Sequence, residues 1–412
     1  MDSYTYVIVG GGLAGGKAVE GIREVDGEGE IALVTQEAHR PYQRPPLSKG
    51  VLTGERAEEV VYLDSETDFA ERHATLITGV RATAVDREAR TVSLSDGRVL
   101  AYETLLLATG GRARRLPLPR VDLKGIFTLR TIEDARAIRE MAGPGKQALV
   151  LGGSFIGAEV AAALTTLGAE VTMAFPEERL LERIVPRDMS AWLHQIYAAK
   201  GIRILPGITP QRFIGERLVT QVELSNGAQP RCDMAVMGVG IELNTELAQH
   251  AGLETREGDN AAVVNEALRT RDPHIYAAGD IAAWPDPIYG KQLRVEHWDV
   301  ARAQGLQAGR NMAGAGEAYA VLPYFFSDLF ELSFEVWGNL DAWDHTVRRG
   351  RLETRSFANY YFHEGRLVGV LAMGRPDDER NPMQALVKAQ PKLAEVADSL
   401  EDEAFDLNDL TG

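Results

Sequence analysis

The sequence has little cysteine and no long apolar run, and both shortages exclude classes of function. Its 412 residues include a single cysteine, Cys232, so the chain has no cysteine pair for an internal disulfide or for dithiol redox chemistry. Cys232 stands just before the apolar run 234–239, where we expect a buried packing residue. No apolar stretch reaches the length of a membrane-spanning helix, which predicts a protein that does not cross a membrane.

Positive charge is also scarce. Lys and Arg number 44 against 60 Asp and Glu, which gives a formal net charge of -16. Nucleic acids and anionic membranes attract basic surfaces, so neither is expected as the main partner. Residues 393–412 carry many carboxylates and no Lys or Arg, which we interpret as a solvated tail or helix face. The first apolar strand begins close to Met1 and leaves no space for a signal peptide, so we expect a cytoplasmic protein.

The first positive signal is a glycine-rich turn that links an apolar strand to a helix. Residues 10–15 follow the pattern G-x-G-x-x-G. Gly10 permits the tight turn, Gly12 lets a pyrophosphate approach the backbone, and Gly15 lets the helix lie close to the sheet. The next strand is followed by Glu37, a carboxylate that can hold a ribose hydroxyl. The segment predicts a dinucleotide site, and a structural turn without a ligand is the alternative.

A second turn of the same type occupies residues 152–157. Its middle glycine is replaced by Ser154, which leaves slightly less room for a pyrophosphate, although serine is small enough to keep the site. The following strand ends before Glu177. This carboxylate would repel the 2′-phosphate of NADP by about 4 kcal/mol per charge pair at ~4 Å and an effective dielectric of ~20. We therefore predict NADH, while Arg179 and Arg183 leave NADPH open.

Three further segments suit a ligand. Residues 39–49 combine three prolines with cations, which favours a phosphate or an electron-rich ring, a solvated basic loop being the alternative. The strand 102–108 is expected to close a parallel sheet and ends at a Thr-Gly pair that exposes backbone. Asp280 follows another strand and could accept hydrogen bonds from a sugar-alcohol chain; its alternative role is the N-cap of a helix at 281–283.

The order of strands and turns predicts three domains, because a chain of this length exceeds one core. We predict an α/β fold in which a second Rossmann-like domain, residues 119–245, is inserted into the first, residues 1–118 and 246–322. Aromatic-rich strand candidates then predict a C-terminal α+β domain, residues 323–412, with an antiparallel sheet followed by a helix. The aromatic side chains of this domain are expected in its core.

These motifs together resemble a known superfamily. The two turns, the Arg-Pro-Pro-Leu-Ser-Lys segment 44–49, the Ala-Thr-Gly segment 108–110 and the Tyr-Ala-Ala-Gly-Asp segment 276–280 occur in this order across nearly the whole chain. The chain resembles the two-dinucleotide flavoproteins. Within them it is similar to the bacterial ferredoxin reductases that serve Rieske oxygenases and cytochrome P450 enzymes, and to apoptosis-inducing factor. Phe326 is a departure, since both branches usually carry tryptophan there, and phenylalanine donates no hydrogen bond.

The resemblance implies FAD in the first domain and NADH, with NADPH less favoured, in the second. The FAD residues that it implies are Gly10, Gly12, Gly15, Glu37, Arg44, Lys49, Thr109, Gly110 and Asp280. The NADH residues are Gly152, Gly153, Ile156, Gly157, Glu159, Glu177, Arg183, Gly240 and Glu242. Further cofactor contacts are expected from Leu13, Ala14, Glu296, His297, Trp298 and Phe326. Lys49 and Glu159 are expected to form a catalytic ion pair beside the flavin, and no metal site is expected.

The implied function is hydride transfer from NADH to FAD, followed by electron transfer to a small iron-sulfur protein such as a ferredoxin. One alternative is an NADH-sensing flavoprotein like apoptosis-inducing factor, whose redox state controls dimerisation or partner binding. Another is an NADH dehydrogenase with a quinone or oxygen as acceptor. The lack of a cysteine pair, and of a cysteine at residues 45–49, excludes the disulfide, peroxidase and coenzyme A branches of the superfamily. A homodimer is left open.

Overall fold

The computed structural model describes residues 1–411, which divide into two compact units. Unit 1 comprises Met1–Gln43, Glu59–Arg112 and Glu242–Pro323. Unit 2 comprises Arg44–Glu58, Ala113–Ile241 and the residues from Tyr324 onward. The three predicted domain boundaries are not tested by this division and stay a prediction. Within residues 1–411, no helix is long and apolar enough to cross a membrane.

The secondary structure alternates strands and helices over most of the chain and becomes strand-rich near the C-terminus. In chain order the strands are β1 (Asp2–Val9), β2 (Ile31–Val34), β3 (Ala74–Ile77), β4 (Ala82–Asp86), β5 (Thr91–Leu94), β6 (Val99–Leu107), β7 (Gly111–Ala113), β8 (Ile126–Thr128), β9 (Gln147–Leu151), β10 (Glu170–Phe175), β11 (Arg203–Pro206), β12 (Pro210–Gly215), β13 (Val219–Leu224), β14 (Met234–Met237), β15 (Ile241–Leu243), β16 (Ala262–Val263), β17 (Ile275–Ala277), β18 (Ala282–Asp286), β19 (Lys291–Leu293), β20 (Tyr324–Leu329), β21 (Leu332–Gly338), β22 (His345–Arg351), β23 (Ser356–His363) and β24 (Arg366–Met373). The α-helices are α1 (Leu13–Arg23), α2 (Gly50–Thr53), α3 (Glu66–Glu71), α4 (Ile132–Met141), α5 (Phe155–Thr166), α6 (Arg187–Ala199), α7 (Glu246–His250), α8 (Trp298–Met312), α9 (Arg380–Ala389) and α10 (Leu393–Glu401). Short 3₁₀ turns occupy Pro45–Ser48, Glu58–Val61, Gly279–Ile281, Asp377–Glu379 and Leu407–Leu410.

The main sheet of unit 1 is mostly parallel. Its strand order is β3-β2-β1-β6-β5-β4, and β17 also pairs with β6. The strands β1, β2, β3, β6 and β17 run parallel, while β4 and β5 extend the sheet antiparallel. The helices α1 and α8 pack so closely that a Cβ on Gly305 of α8 would lie 2.3 Å from the carbonyl oxygen of Ala14 in α1. Glycine at position 305 permits this contact. Because β1, β2, β3, β6 and β17 are parallel, their carboxyl ends share one edge of the sheet. Ligands bind at this edge in folds of this kind.

Unit 2 contains a second parallel sheet, with the strand order β11-β10-β9-β14-β8. The chain passes from β9 through a turn into α5 and returns in β10, which repeats the β1-α1-β2 arrangement of unit 1. Cys232 is 4% exposed, which confirms its prediction as a buried residue, and burial raises its pKa to about 12. Its thiol is therefore protonated and unreactive at neutral pH.

A five-stranded antiparallel sheet closes unit 2, with the order β20-β21-β24-β23-β22. The helices α9 and α10 follow it, as the sequence predicts. Phe334, Tyr360 and Phe362 are fully buried, which confirms that these aromatic side chains form the core. The fold prediction of two parallel Rossmann-like sheets and a C-terminal antiparallel sheet is thus confirmed.

The acidic C-terminal segment is held by a buried cation. Arg349 on β22 donates hydrogen bonds to Glu379 at 3.0 Å and to the carbonyl oxygens of Glu403 and Phe405 at 3.1 and 2.9 Å. It also donates to the carbonyl oxygen of Asp402. The Arg349 side chain is only 3% exposed, so this segment is anchored along the edge of the sheet.

Several local predictions were wrong. The strand predicted at 102–108 begins at Val99 and lies between β1 and β5, so it does not close the sheet. The alternative role of Asp280, the N-cap of a helix at 281–283, is excluded, because the short turn Gly279–Ile281 leads directly into β18. The strands β20 and β22 were missed. Both are edge strands, and β22 carries the charged residues that protect such edges, which masks the alternating apolar pattern of a strand.

Candidate dinucleotide sites

The first glycine-rich turn joins the carboxyl end of β1 to α1. Gly10 has φ of 130°, and a Cβ there would lie 2.1 Å from the carbonyl oxygen of Ala108. A Cβ on Gly15 would lie 1.9 Å from the carbonyl oxygen of Gly10, so only glycine fits either position. Gly12 is the N-cap of α1, and the space that its Cβ would take is open. No side chain caps this helix, so its first backbone N–H groups can bind a phosphate, as the cradle of a dinucleotide requires.

Two loops beside this turn present polar groups at the same edge of the unit 1 sheet. Glu37 follows β2, which is the neighbour of β1, and its carboxylate accepts a short hydrogen bond from the hydroxyl of Tyr42. The loop after β6 is fixed by Asn244. The backbone oxygen of Asn244 accepts a hydrogen bond from the Thr109 hydroxyl at 2.6 Å, and the Asn244 side-chain amide donates one to the Thr109 carbonyl oxygen at 3.0 Å. The predicted residues Glu37, Thr109 and Gly110 therefore all follow strands that end at the edge where Gly10 lies.

The loop after β17 contacts a polar residue that no motif in the sequence indicates. The backbone N–H of Gly279 donates to Gln304 Oε1 at 2.9 Å. Gln304 on α8 is fully buried, yet its Nε2 has no hydrogen-bond partner in the described part of the chain. A buried donor without an acceptor is the kind of group that a bound ligand satisfies. The signal in the sequence is an amide between Ala303 and Gly305, two small residues that are also buried.

The segment before α8 carries three other predicted cofactor residues. Glu296 accepts a hydrogen bond from Arg294 at 2.7 Å, and Trp298 donates to Gln43 Oε1 at 3.1 Å. Burial lowers the pKa of His297 to about 4, although the Asp280 carboxylate opposes this shift. His297 is therefore neutral at physiological pH. All three lie in unit 1, but no contact among the described residues tests whether they reach a cofactor.

The second glycine-rich turn in unit 2 repeats the geometry of the first. Gly152 has φ of 129°, and its Cβ would lie 2.2 Å from the carbonyl oxygen of Gly238. A Cβ on Gly157 would lie 2.3 Å from the carbonyl oxygen of Gly152. Ser154 occupies the N-cap of α5 without capping it, because its hydroxyl donates to the Gly238 carbonyl at 3.2 Å. The Ser154 hydroxyl therefore does not occupy the backbone N–H groups at the start of α5, which remain available to a phosphate.

The other residues predicted for the second site are spread over several loops. Ile156 is 45% exposed near the start of α5. Glu177 follows β10, and its carboxylate lies 3.2 Å from Arg183, which is 83% exposed. Gly240 has φ of 92° and open space around it. Glu242 lies in unit 1, where it is exposed and pairs with Arg112 at 3.2 Å. Its assignment to the second site stays a prediction.

A buried charge cluster lies behind the second turn, on α5. Glu159 is 4% exposed, and its Oε1 lies 2.7 Å from Lys49 Nζ, so the expected contact exists. The same carboxylate accepts hydrogen bonds from the hydroxyls of Ser48 at 2.5 Å and Ser327 at 2.6 Å. Lys49 Nζ also lies 5.5 Å from the centre of the Phe326 ring. The cluster joins the Pro45–Ser48 turn, α5 and β20, and it satisfies a carboxylate that would otherwise be strongly destabilising when buried.

Arg44 begins the turn that carries Lys49. Its guanidinium donates to the carbonyl oxygen of Arg130 at 2.5 Å, which ties this loop to the start of α4. The role of Arg44 and Lys49 toward FAD stays a prediction.

Two turns of this kind, each with an uncapped helix behind it, are typical of proteins that bind two dinucleotides. Residues 4–305 match the pyridine nucleotide-disulphide oxidoreductase family, and residues 324–411 match a reductase C-terminal domain. The chain is 35% identical over 376 residues to the ferredoxin-NAD(+) reductase component of the anthranilate 1,2-dioxygenase system of Burkholderia cepacia, which covers 90% of this chain and 91% of that protein.

Solved structures agree. The ferredoxin reductase of the CYP199A2 system from Rhodopseudomonas palustris superposes with a TM-score of 0.92 at 31% identity and covers 100% of both chains. A chain of the covalent putidaredoxin reductase-putidaredoxin complex gives a TM-score of 0.92 at 32% identity and covers 99% of this chain and 98% of that one. The chain therefore belongs to the pyridine nucleotide-disulphide oxidoreductase family. This membership implies a flavin and a nicotinamide cofactor.

Proposed function

We propose that the protein is an FAD-dependent oxidoreductase that takes hydride from NADH and passes electrons to a small iron-sulfur protein such as a ferredoxin. The observation that carries this proposal is the pair of uncapped helices, α1 and α5, each preceded by a turn with positions at which only glycine fits. The relative from Burkholderia cepacia is a ferredoxin-NAD(+) reductase component, which favours a ferredoxin as the acceptor.

We assign FAD to the first turn and NADH to the second. When bound, FAD would accept a hydride from NADH and release the electrons one at a time. The N-terminal amides of α1 and α5 would bind the two pyrophosphates, and Glu37 and Glu177 would accept hydrogen bonds from ribose hydroxyls. The assignment of Arg44 and Lys49 to FAD, and of Lys49 and Glu159 to the reacting centre, rests on the family resemblance. The burial of the Lys49–Glu159 pair supports a fixed charge there.

We further propose three domains with the boundaries 1–118 and 246–322, 119–245, and 323–412, and a cytoplasmic location. The two parallel sheets support the first two domains, and the antiparallel sheet supports the third.

The electron acceptor can be tested with the purified protein, FAD and NADH, in the presence of a [2Fe-2S] ferredoxin and cytochrome c. We expect rapid cytochrome c reduction that requires the ferredoxin. Equal rates without it would overturn the ferredoxin assignment, and faster NADH oxidation with a quinone or oxygen would favour a dehydrogenase. A reduced flavin that persists for minutes with NAD and reduces no acceptor would favour a redox-sensing role.

The nicotinamide preference depends on Glu177. Replacing it with alanine should narrow the ratio of kcat/KM for NADH over NADPH by about five- to tenfold, because a partly exposed carboxylate repels the 2′-phosphate only through screened charge. Steady-state kinetics with both cofactors would measure this ratio. Equal use of NADH and NADPH by the unmutated protein would overturn the role of Glu177.

A further inference from the structure

The loop that follows β10 is fixed on both sides. The backbone N–H of Leu181 donates to the carbonyl oxygen of Gly153 at 2.9 Å, which attaches the loop to the second glycine-rich turn. The N–H of Gly207 donates to the carbonyl oxygen of Glu177 at 2.8 Å. Leu181 is also buried and has φ of 55°, a conformation that a leucine adopts only when its surroundings hold it. The side chains of residues 177–183 are therefore presented from a fixed backbone beside the proposed NADH site.

Within this loop, one arginine is already committed to a carboxylate. Arg179 Nη2 lies 2.8 Å from Glu182 Oε1, and both side chains are about three-quarters buried, at 27% and 25% exposure. The second oxygen of Glu182 accepts the backbone N–H of Glu178 at 2.9 Å, so the acceptor itself cannot swing away freely. The Glu178 side chain is 84% exposed and lies 3.9 Å from Arg179, so it interacts with the Arg179 guanidinium more weakly than Glu182 does.

Arg179 also has an unused donor. Its Nε is buried and has no hydrogen-bond partner among residues 1–411. A guanidinium is the side chain best suited to bind a phosphate in two places, through Nε and one Nη. Arg183 differs, because its side chain is 83% exposed and its guanidinium pairs with Glu177 at 3.2 Å. Of the two arginines, Arg179 is therefore the one that has a buried donor without a partner in the described part of the chain, and its charge is paired with Glu182.

We propose that Glu182 is a specificity-determining residue that rejects NADPH by holding the Arg179 guanidinium. This inference rests on the proposed binding of NADH at the second turn. Two carboxylates then act in different ways: Glu177 repels the 2′-phosphate directly, while Glu182 removes the cation that would attract it. The 2′-phosphate belongs to the adenosine half of the cofactor, so nucleotides that lack the nicotinamide can report the effect.

The test measures binding of 2′,5′-ADP and 5′-AMP, which differ only in the 2′-phosphate, to the FAD-loaded protein by calorimetry. Glu182→Gln should bind 2′,5′-ADP about three- to tenfold more tightly than the unmutated protein, because it frees a charged donor that is partly screened by solvent. Its affinity for 5′-AMP should not change. Glutamine keeps an oxygen for the N–H of Glu178, and an unchanged melting temperature would show that the loop is intact.

Two variants serve as controls. Glu178→Gln removes the same charge from the same loop without a hydrogen bond to Arg179, and it should give less than half of the gain. Arg179→Gln added to Glu182→Gln should abolish the gain. An equal gain in both single variants, or a gain that persists without Arg179, would overturn the inference, since either shows a general charge effect.

Binding of the two nucleotides distinguishes failure of the role of Glu182 from failure of the proposed NADH site. Binding of 5′-AMP with no gain for 2′,5′-ADP in Glu182→Gln would overturn the inference alone. No binding of either nucleotide by the unmutated protein would overturn the assignment of a dinucleotide to the second turn, and the inference with it.

Discussion

The two glycine-rich turns share one plan, but the helices that follow them are used differently. Lys17 lies two residues after Gly15, and Glu159 lies two residues after Gly157. Lys17 is 26% exposed and pairs with Glu20 of its own helix at 2.5 Å. Glu159 is 4% exposed and receives its hydrogen bonds from other segments of the chain. The same turn can therefore be followed by a helix with a partly exposed charge at this position or by a helix with a buried charge there.

The turns also differ at the N-cap. Gly12 leaves open space at the start of α1, whereas Ser154 fills the equivalent place at the start of α5. Because the Ser154 hydroxyl binds the carbonyl of Gly238, the serine preserves the uncapped helix. We therefore expect the first turn to leave slightly more room for a pyrophosphate than the second.

The largest difference between the two helices should be exposed by removing the charges that follow the turns. Glu159→Gln or Lys49→Met should each destabilise the protein by about 3 kcal/mol, the lower end of the range for a buried pair, since Lys49 is 17% exposed. Urea unfolding would measure this loss. Lys17, which occupies the equivalent position after the first turn and is partly exposed, gives the control. Lys17→Met should change the free energy of unfolding by less than about 1 kcal/mol.

The double variant of Lys49 and Glu159 sharpens this result. It should lose less stability, and slow flavin reduction less in rapid-mixing experiments, than the sum of the single variants, because it leaves no buried charge unpaired. Strictly additive losses would mean that the two side chains are not energetically coupled.

A smaller effect is expected when the close contact inside each turn is overfilled. Gly15→Ala and Gly157→Ala place a Cβ 1.9 and 2.3 Å, respectively, from a carbonyl oxygen. Because this overpacking displaces the helix, Gly15→Ala should lower the affinity for FAD, and Gly157→Ala the affinity for NADH, each by about tenfold or more. FAD retention on gel filtration would report the first change and NADH titration the second. Gly27→Ala, where the added Cβ meets nothing, is the matched control. Loss of both cofactors from either variant would argue against separate sites.

The smallest effect should come from exchanging the N-cap residues. Gly12→Ser should weaken FAD binding, and Ser154→Gly should strengthen NADH binding, each by less than about threefold, because serine and glycine differ by only a few tenths of a kcal/mol at an N-cap. Equilibrium titration of each cofactor would detect the changes. If Gly12→Ser abolished FAD binding, the first cradle would need its open space far more than the second does.

The sequence revealed the turns because their chemistry is local. Gly10, Gly12 and Gly15 lie within the segment 10–15, and each has a steric reason that can be stated without a structure. The contact of Lys49 with Glu159 could be expected only from a family resemblance, since no local pattern connects residues that are distant in the sequence.

Long-range polar contacts were the part that sequence reasoning missed. Ser48 and Ser327 look like ordinary loop and strand serines until the fold brings both hydroxyls to one carboxylate. Gln304 was missed for the same reason, because only the packing of α8 shows that its amide is buried. The strand β22 was missed because its charges conceal it, and Arg349 illustrates this, since it is buried in an edge strand.

The anchoring of the C-terminal segment by Arg349 has a consequence for how this chain can be shortened. Residues 402–405 supply backbone carbonyl oxygens to a guanidinium that has almost no access to water. A chain cut after residue 401 would keep the cation and lose most of its acceptors, so the charge would have to be hydrated by opening the edge of the sheet beside β22. An open edge strand is a template for pairing with another molecule, so such a truncated protein should aggregate even though every residue of both proposed cofactor sites is present.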